Sequence, residues 1–156
     1  MGLKTSCERV VLTPIGFVVN SFDERGDPKA LRNSESIINL DEKYIGALDG
    51  LDRFKYLLVI FYFDRSEGYF ERVHPMGDKS IPERGVLATR SPCRPNPIGV
   101  TVVEILSVQG NTIRVTGLDA LNGTPILDIK PYEEHFDSPA GIEKELDPSF
   151  KPVDIK

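Results

Sequence analysis

Two stretches of this 156-residue chain concentrate the groups that could do chemistry. The first, residues 88–99 (ATRSPCRPNPIG), holds Arg90, Arg94, Asn96 and three prolines between two apolar runs. Proline fixes φ and removes a backbone donor, so this segment cannot join a sheet ladder and presents its polar side chains on a stiff frame. The second, residues 117–132 (GLDALNGTPILDIKPY), gathers Asp119, Asn122, Thr124, Asp128 and Lys130 around the turn-forming pair Asn122-Gly123. If residues 124–129 are a strand, Asp128 and Lys130 share one face and Ile129 takes the other. Such groups offer hydrogen bonds, charge and a carboxylate able to move a proton. Both stretches also have a plainer reading. Pro-Asn-Pro turns the chain while the arginines make surface pairs, and Asp128 beside Lys130 is a satisfied ion pair.

A third stretch, residues 13–22 (TPIGFVVNSF), reads as a first strand running into a long, flexible polar connection, DERGDPKALRNSES. The sequence contains neither a Gly-rich dinucleotide fingerprint nor a phosphate loop with Gly-Lys-Ser/Thr. His74 and His135 stand far apart, and Cys7 and Cys93 match no metal spacing. No metal is expected, and the cysteines read as reduced thiols of a cytoplasmic protein. The longest apolar run, residues 56–63, has 8 residues where a membrane helix needs about 20, so no membrane span is expected. Glu8 and Arg9 interrupt the N-terminus before any signal-like apolar stretch, and no secretory leader is expected.

The elements that must position these groups are mostly strands. Apolar runs rich in Val, Ile, Phe and Tyr recur at residues 10–19, 36–40, 54–63, 85–89, 99–108, 112–117 and 124–129. Gly110-Asn111 supplies a tight hairpin turn, and the last three runs are expected to form a meander. Only residues 40–51 have helical spacing, with Tyr44, Ile45, Leu48 and Leu51 on one side. About seven strands with one short helix predict an all-β protein, a single-sheet β-barrel that hides its own edges. Residues 75–97 form a long irregular connection, a length that usually signals function.

With 40% hydrophobic and 28% charged residues the chain reads as one soluble domain, residues 8–138, followed by an irregular tail, 139–156. The net charge of −5 looks unfavourable for a polyanionic partner. Resolved along the chain, residues 1–132 carry only −1 and residues 133–156 carry −4. Because binding follows the local field, a nucleic-acid partner remains open, with weak, salt-sensitive contacts expected.

Taken together, PIGFVVNSF, GVLATRSPCRPNPIG and GLDALNGTPILDIKPY resemble the TrmO family, also called TsaA-like or YaeB-like proteins. The resemblance covers roughly residues 10–132. It implies a β-barrel that binds S-adenosylmethionine and methylates the exocyclic amine of threonylcarbamoyl-adenosine beside the tRNA anticodon, working as a homodimer. Carried onto this chain, it assigns cofactor binding to Pro28, Lys29, Ala30, Asp64, Arg65, Arg90, Val100, Leu121, Asn122, Gly123 and Thr124. Family members are expected to have His-Gln where this chain has Asp64-Arg65, and Pro-Arg-Gln where it has Pro28-Lys29-Ala30. The residues themselves suggest Asn96 as hydrogen-bond acceptor for the attacking amine and Asp128 as proton acceptor or counter-charge, held by Lys130. Arg94 and Tyr132 are candidates for substrate contact. Longer family members carry a further domain, whereas 24 residues follow Tyr132 here. Two other readings therefore stand beside the first: a cofactor-binding sensor or partner module without catalysis, and a methyltransferase with a small-molecule acceptor.

Overall fold

Successive side chains of a strand point to opposite faces, so one face of each strand turns inward, and in the computed structural model, which describes residues 9–138, the strands close on themselves. The barrel order is β1 (Gly16–Val19), β2 (Glu35–Leu40), β7 (Thr112–Thr116), β6 (Ile98–Gln109), β3 (Tyr56–Tyr62) and β8 (Pro125–Pro131). All pairings are antiparallel. Closure comes from β8, which pairs β3 on one side (Ile60↔Asp128) and β1 on the other (Gly16↔Ile126). The interior is filled by Ile38, Leu57, Val59, Phe61, Val103, Ile113, Val115 and Ile126, each at most 2% exposed. Full burial of such a side chain contributes about 1.5–3 kcal/mol, which makes the barrel the stable frame for everything attached to it.

Six strands rather than seven make the barrel. The 85–89 run gives only a short strand β5 (Arg84–Gly85), paired with β4 (Arg72–Val73), before a 3-10 turn at Val86–Ala88. Prolines at 75, 82 and 92 remove ladder donors around it, so the pairing cannot lengthen. The hairpin at Gly110-Asn111 forms as the sequence predicts, Gly110 having φ 58° and Gln109 pairing Thr112. The expected meander does not form. After β7, Leu118 and Ala120 bury themselves across one barrel end, and the chain returns between β3 and β1 instead of beside β7.

Two further local readings change. Residues 42–53 form 3-10 turns (Glu42–Leu48 and Leu51–Arg53), broken at Gly50, with Leu48 and Leu51 buried and Ile45 exposed. Gly46, Asp49 and Gly50 are poor α-helix formers, and the tighter turn suits such short pieces. Conversely, the polar connection after β1 contains a helix, α1 (Pro28–Asn33). Asp27 caps it by accepting from the Lys29 N–H at 2.9 Å, and Pro28 starts it with φ already set. A last short helix, α2 (Glu134–Asp137), ends the described chain. Cys7 and the 139–156 tail lie outside the described residues, and no described helix is long and apolar enough to cross a membrane.

Candidate functional site

At one rim of the barrel, three segments that the sequence analysis singled out separately meet. The end of β1 contributes Asn20 and the following Asp23, the end of β3 contributes Asp64 and Arg65, and the turn before β8 contributes Asn122 and Gly123. Arg65 joins them. Its Nη1 donates to the Asp23 carbonyl at 2.9 Å and its Nη2 to the Asn122 carbonyl at 2.7 Å. Asn122 completes the junction by donating from Nδ2 to Asp23 Oδ1 at 2.9 Å and from its own backbone N–H to the Phe22 carbonyl at 2.8 Å. Gly123 has φ 79°, and a Cβ there would lie 3.4 Å from Arg65 Nη2, so glycine suits the turn on both counts.

Asn20 and Asp23 were not singled out from the sequence. Asn20 Oδ1 accepts from the Phe22 N–H at 3.0 Å, and its Nδ2 reaches Ser36 Oγ and the Ala120 carbonyl. The signal was present: an Asn at a strand end turns the chain by bonding the backbone two residues on.

Pro28, Lys29 and Ala30 occupy the exposed first turn of α1, a few residues beyond Asp23. The helix is held to the barrel by buried Leu31, by the Gly117 N–H on the Arg32 carbonyl at 3.0 Å, and by the Arg32–Asp119 pair at 3.6 Å. Leu121 closes the turn through its carbonyl, which accepts from the Thr124 N–H at 3.1 Å, and Thr124 is buried.

A second group lies on the outer wall. Register aligns Val100 (β6), Ile60 (β3) and Asp128 (β8) across three adjacent strands. One row below, Val102, Leu58 and Lys130 do the same. Arg90 joins this wall by donating from Nη1 to the Val100 carbonyl at 3.2 Å. Asp128 Oδ2 and Lys130 Nζ are 2.6 Å apart, and that hydrogen bond raises the Lys130 ammonium above its ordinary pKa. Ile129 packs against the core, as the strand alternation predicts.

The other candidates are spread out. Asn96 sits at the rim, before the Ile98–Tyr62 row, and is thus separated from Asp128, which lies one strand further across and below that row. Arg94 folds onto its own loop, Nη1 donating to the Thr89 carbonyl at 3.0 Å. Tyr132 stands edge-on to Tyr56, 6.5 Å between centroids, at the far end of β3 from Asp64. Seven residues of strand put those ends about 20 Å apart, so Tyr132 is not part of the rim.

Chemically, the rim gathers the carboxylates of Asp23 and Asp64, the latter 3.6 Å from Arg65 Nε, groups suited to a cationic ligand, while Arg65 at the rim and Arg90 beside Val100 on the outer wall offer guanidinium groups to an anionic one. Among the described residues, no group of three or more His, Cys, Asp or Glu could hold a metal.

Residues 20–138 match the family described as tRNA-methyltransferase O N-terminal domain. A probable S-adenosyl-L-methionine-binding protein of Methanothermobacter thermautotrophicus is 42% identical over 130 residues, covering 81% of this chain and 93% of that protein. A tRNA (adenine(37)-N6)-methyltransferase of Rattus norvegicus is 34% identical over 143 residues, covering 83% of this chain but 32% of the rat protein. The crystal structure of TrmO from Pseudomonas aeruginosa superposes with a TM-score of 0.70 at 29% identity, covering 87% of this chain and 61% of that one. This chain thus spans about six tenths of the solved chain it matches.

Proposed function

The chain belongs to the tRNA-methyltransferase O N-terminal domain family, and from that membership we propose that it is an S-adenosylmethionine-dependent methyltransferase acting on tRNA. In this reading the acceptor is the exocyclic N6 amine of threonylcarbamoyl-adenosine next to the anticodon, and the working unit is a cytoplasmic homodimer. One observation carries it: the Arg65 fork draws the β1 loop and the Asn122 turn, both assigned to the cofactor by resemblance, into a single rim.

The residues fit the cofactor's charges, since the Asp23 and Asp64 carboxylates would suit its sulfonium and ammonium and the Arg65 and Arg90 guanidinium groups would suit its carboxylate. When bound, S-adenosylmethionine supplies a methyl group already activated by positive sulfur. Pro28, Lys29, Ala30, Asp64, Arg65, Arg90, Val100 and the turn Leu121, Asn122, Gly123, Thr124 would hold it. The protein's remaining work is alignment, bringing the amine to a near-attack distance of about 3–3.5 Å. Asn96 orients the amine by accepting a hydrogen bond from it through the side-chain carbonyl. Asp128, separated from Asn96, receives the proton through solvent or balances positive charge, and Lys130 fixes its carboxylate.

The homodimer is supported by the outer wall. Leu58 and Ile60 lie opposite Val102 and Val100, and Val100 and Val102 are 43% and 45% exposed. Such a contiguous apolar face on a soluble domain marks a protein contact.

A second reading has its own support. Relatives of similar length, such as the Methanothermobacter protein, carry a name that speaks of S-adenosylmethionine binding and of no transfer. Calorimetry with S-adenosylmethionine, followed by transfer of labelled methyl to bulk tRNA with and without the threonylcarbamoyl group, separates the two. Binding with transfer only to the modified tRNA upholds the methyltransferase, binding without transfer favours the sensor, and absence of binding overturns both.

A further inference from the structure

We propose that the cleft between the end of β3 and residues 94–97 is a nucleobase slot that receives the acceptor adenine, unstacked from a single-stranded loop. The identity of the strand rests on the tRNA reading above; the slot itself rests on how the cleft is built. Its volume is about 170 Å³, room for about six waters. That suits one planar heterocycle and falls short of the roughly 300–1,000 Å³ of sites that enclose a whole drug-sized ligand.

The lining has the composition a base requires. Tyr62, Tyr69, Pro95 and Pro97 give flat apolar surfaces, and Asp64 and Arg94 add one acceptor and one cation. Tyr62 and Tyr69 are 41% and 58% exposed, so their ring surface remains open to a partner. Every base has a π-face, and aromatic platforms are how single strands are held once bases leave the stack. Asp64 can accept from an exocyclic amine. Arg94, its Nη1 hydrogen-bonded to the Thr89 carbonyl at 3.0 Å, presents a cation held on its own loop.

The walls are preformed. The Phe63 N–H donates to the Pro97 carbonyl at 2.7 Å and the Phe70 N–H to the Cys93 carbonyl at 3.1 Å, while Ser66 Oγ donates to the Pro92 carbonyl at 2.9 Å. These bonds weld the 63–70 segment, which carries Tyr69, onto the proline frame, and Tyr62 is fixed at the end of β3, so little ordering is left to binding. Position agrees as well. Asp64 lines the slot and Arg65, the next residue, clamps the cofactor rim, while Asn96 stands between the two lining prolines. A base in the slot therefore lies between the proposed amine acceptor and the rim.

The test uses the full chain with Tyr69→Ala, Tyr69→Phe and, as a second site, Tyr62→Leu. S-adenosylmethionine affinity is read by calorimetry, an anticodon stem-loop RNA by fluorescence anisotropy, methyl transfer by steady-state kinetics, and folding by Tm. Tyr69→Ala should raise the RNA Kd and the KM for tRNA about five- to hundredfold, the equivalent of about 1–3 kcal/mol, with cofactor affinity and Tm unchanged. Tyr62→Leu should act in the same direction, and Tyr69→Phe, which keeps the ring, should behave as wild type. Unchanged RNA binding in Tyr69→Ala overturns the slot. So does equal damage from Tyr69→Phe, and so does a parallel loss of cofactor affinity, which would mean that the cofactor's own adenine sits there. If the wild-type chain transfers no methyl group, the function reading fails by itself, and the slot is then decided by RNA binding: selective loss in Tyr69→Ala upholds it, and no RNA binding by wild type overturns it.

Discussion

Arg65 and Asn122, 57 residues apart in sequence, are joined at 2.7 Å by Arg65 Nη2 donating to the Asn122 carbonyl, while the same guanidinium holds the Asp23 carbonyl through Nη1. The planar fork is what lets one side chain satisfy two backbone acceptors on different segments, a geometry lysine cannot copy.

Arg65→Ala should therefore loosen the rim without loosening the barrel. Arg65 is exposed, so Tm should move little. Loss of charge-assisted hydrogen bonds at a partly solvated site should weaken S-adenosylmethionine binding by about tenfold, and Arg65→Lys should recover only part of it. Calorimetry on the three proteins checks this; equal affinity in all of them would mean that the fork has no part in cofactor binding.

Among the described glycines, Gly16 and Gly99 leave the least room for a side chain. A Cβ on Gly16 would meet the Asn39 carbonyl and lie 2.7 Å from the Leu40 Cα, which are backbone atoms on the paired strand. A Cβ on Gly99 would lie 2.5 Å from the Phe61 ring, a side chain with some room to turn. Overpacking of this kind costs about 1–3 kcal/mol, so Gly16→Ala and Gly99→Ala should both lower Tm, Gly16→Ala more. Thermal unfolding monitored by circular dichroism checks the order, and a larger drop for Gly99→Ala would contradict it.

These contacts show which parts of the molecule could be read from the chain. The barrel was legible because a short apolar run rich in β-branched and aromatic residues, such as 56–62, and apolar/polar alternation, as in 112–116, are both local signals of a strand. The hairpin was legible because Gly110-Asn111 is a local turn signal. Strand order was not, since β8 settles between β3 and β1 through contacts far apart in sequence. Helix α1 was missed although Asp27-Pro28 announces it, because its apolar content is little more than Leu31. The site followed the same division. Motif positions such as Asn122 and Arg90 came from the sequence, but the Arg65 fork is side chain to distant backbone and leaves no spacing to detect. Tyr62 and Tyr69 lie outside the motifs, and only the bonds welding their segments to the proline loop bring them to one cleft.

Stability should be flat near neutrality and fall at both pH extremes. Hydrogen bonds from Lys43 hold the Asp41 carboxyl below its ordinary 3.8, and those from Ser80 do the same for Asp78. A carboxyl lowered in the fold stabilises above its unfolded value and loses that contribution as pH falls through the lowered one. Lys130, raised above 10.5 by Asp128, stabilises below that value and loses its contribution as pH rises through the raised one. All three are surface groups, so each effect is small. Tm measured against pH should be level between about pH 5 and 9 as far as these groups decide it, with Asp78→Asn flattening the acid limb and Lys130→Met the alkaline limb. A slope that neither variant alters would refute the assignment.

The apolar outer wall predicts the oligomeric state. A stable interface buries about 800 Å² per partner, and the β3–β6 face, on which Val100 and Val102 are exposed, is the contact proposed for the homodimer. A carboxylate placed in that apolar face would have to be stripped of water for the two copies to meet. Val102→Asp should therefore shift the protein to monomers in analytical ultracentrifugation while leaving Tm high, because Val102 points away from the core. A wild-type protein that sediments as a monomer at micromolar concentration would remove the dimer from the reading.

In the proposed mechanism Asn96 and Asp128 divide the chemistry between two places, and kinetics can tell those places apart. Asn96 is rim-exposed and close to the acceptor cleft, whereas Asp128 lies on the outer wall with its carboxylate held by Lys130. Proton transfer by a positioned side chain contributes about 10²–10⁴-fold, and a group acting through solvent falls at the low end of that range. Asn96→Ala should thus lower kcat by about a hundredfold through loss of amine orientation, with cofactor affinity unchanged. Asp128→Ala should lower kcat by a smaller factor, and Lys130→Met, which frees the carboxylate, should retain more activity than Asp128→Ala. If the carboxylate receives the proton, Asp128→Asn should match Asp128→Ala at neutral pH and recover rate as pH rises and hydroxide substitutes for the base. A pH-independent deficit in Asp128→Asn would leave the carboxylate as counter-charge alone, and unchanged kcat in both alanine variants would remove the two residues from the mechanism.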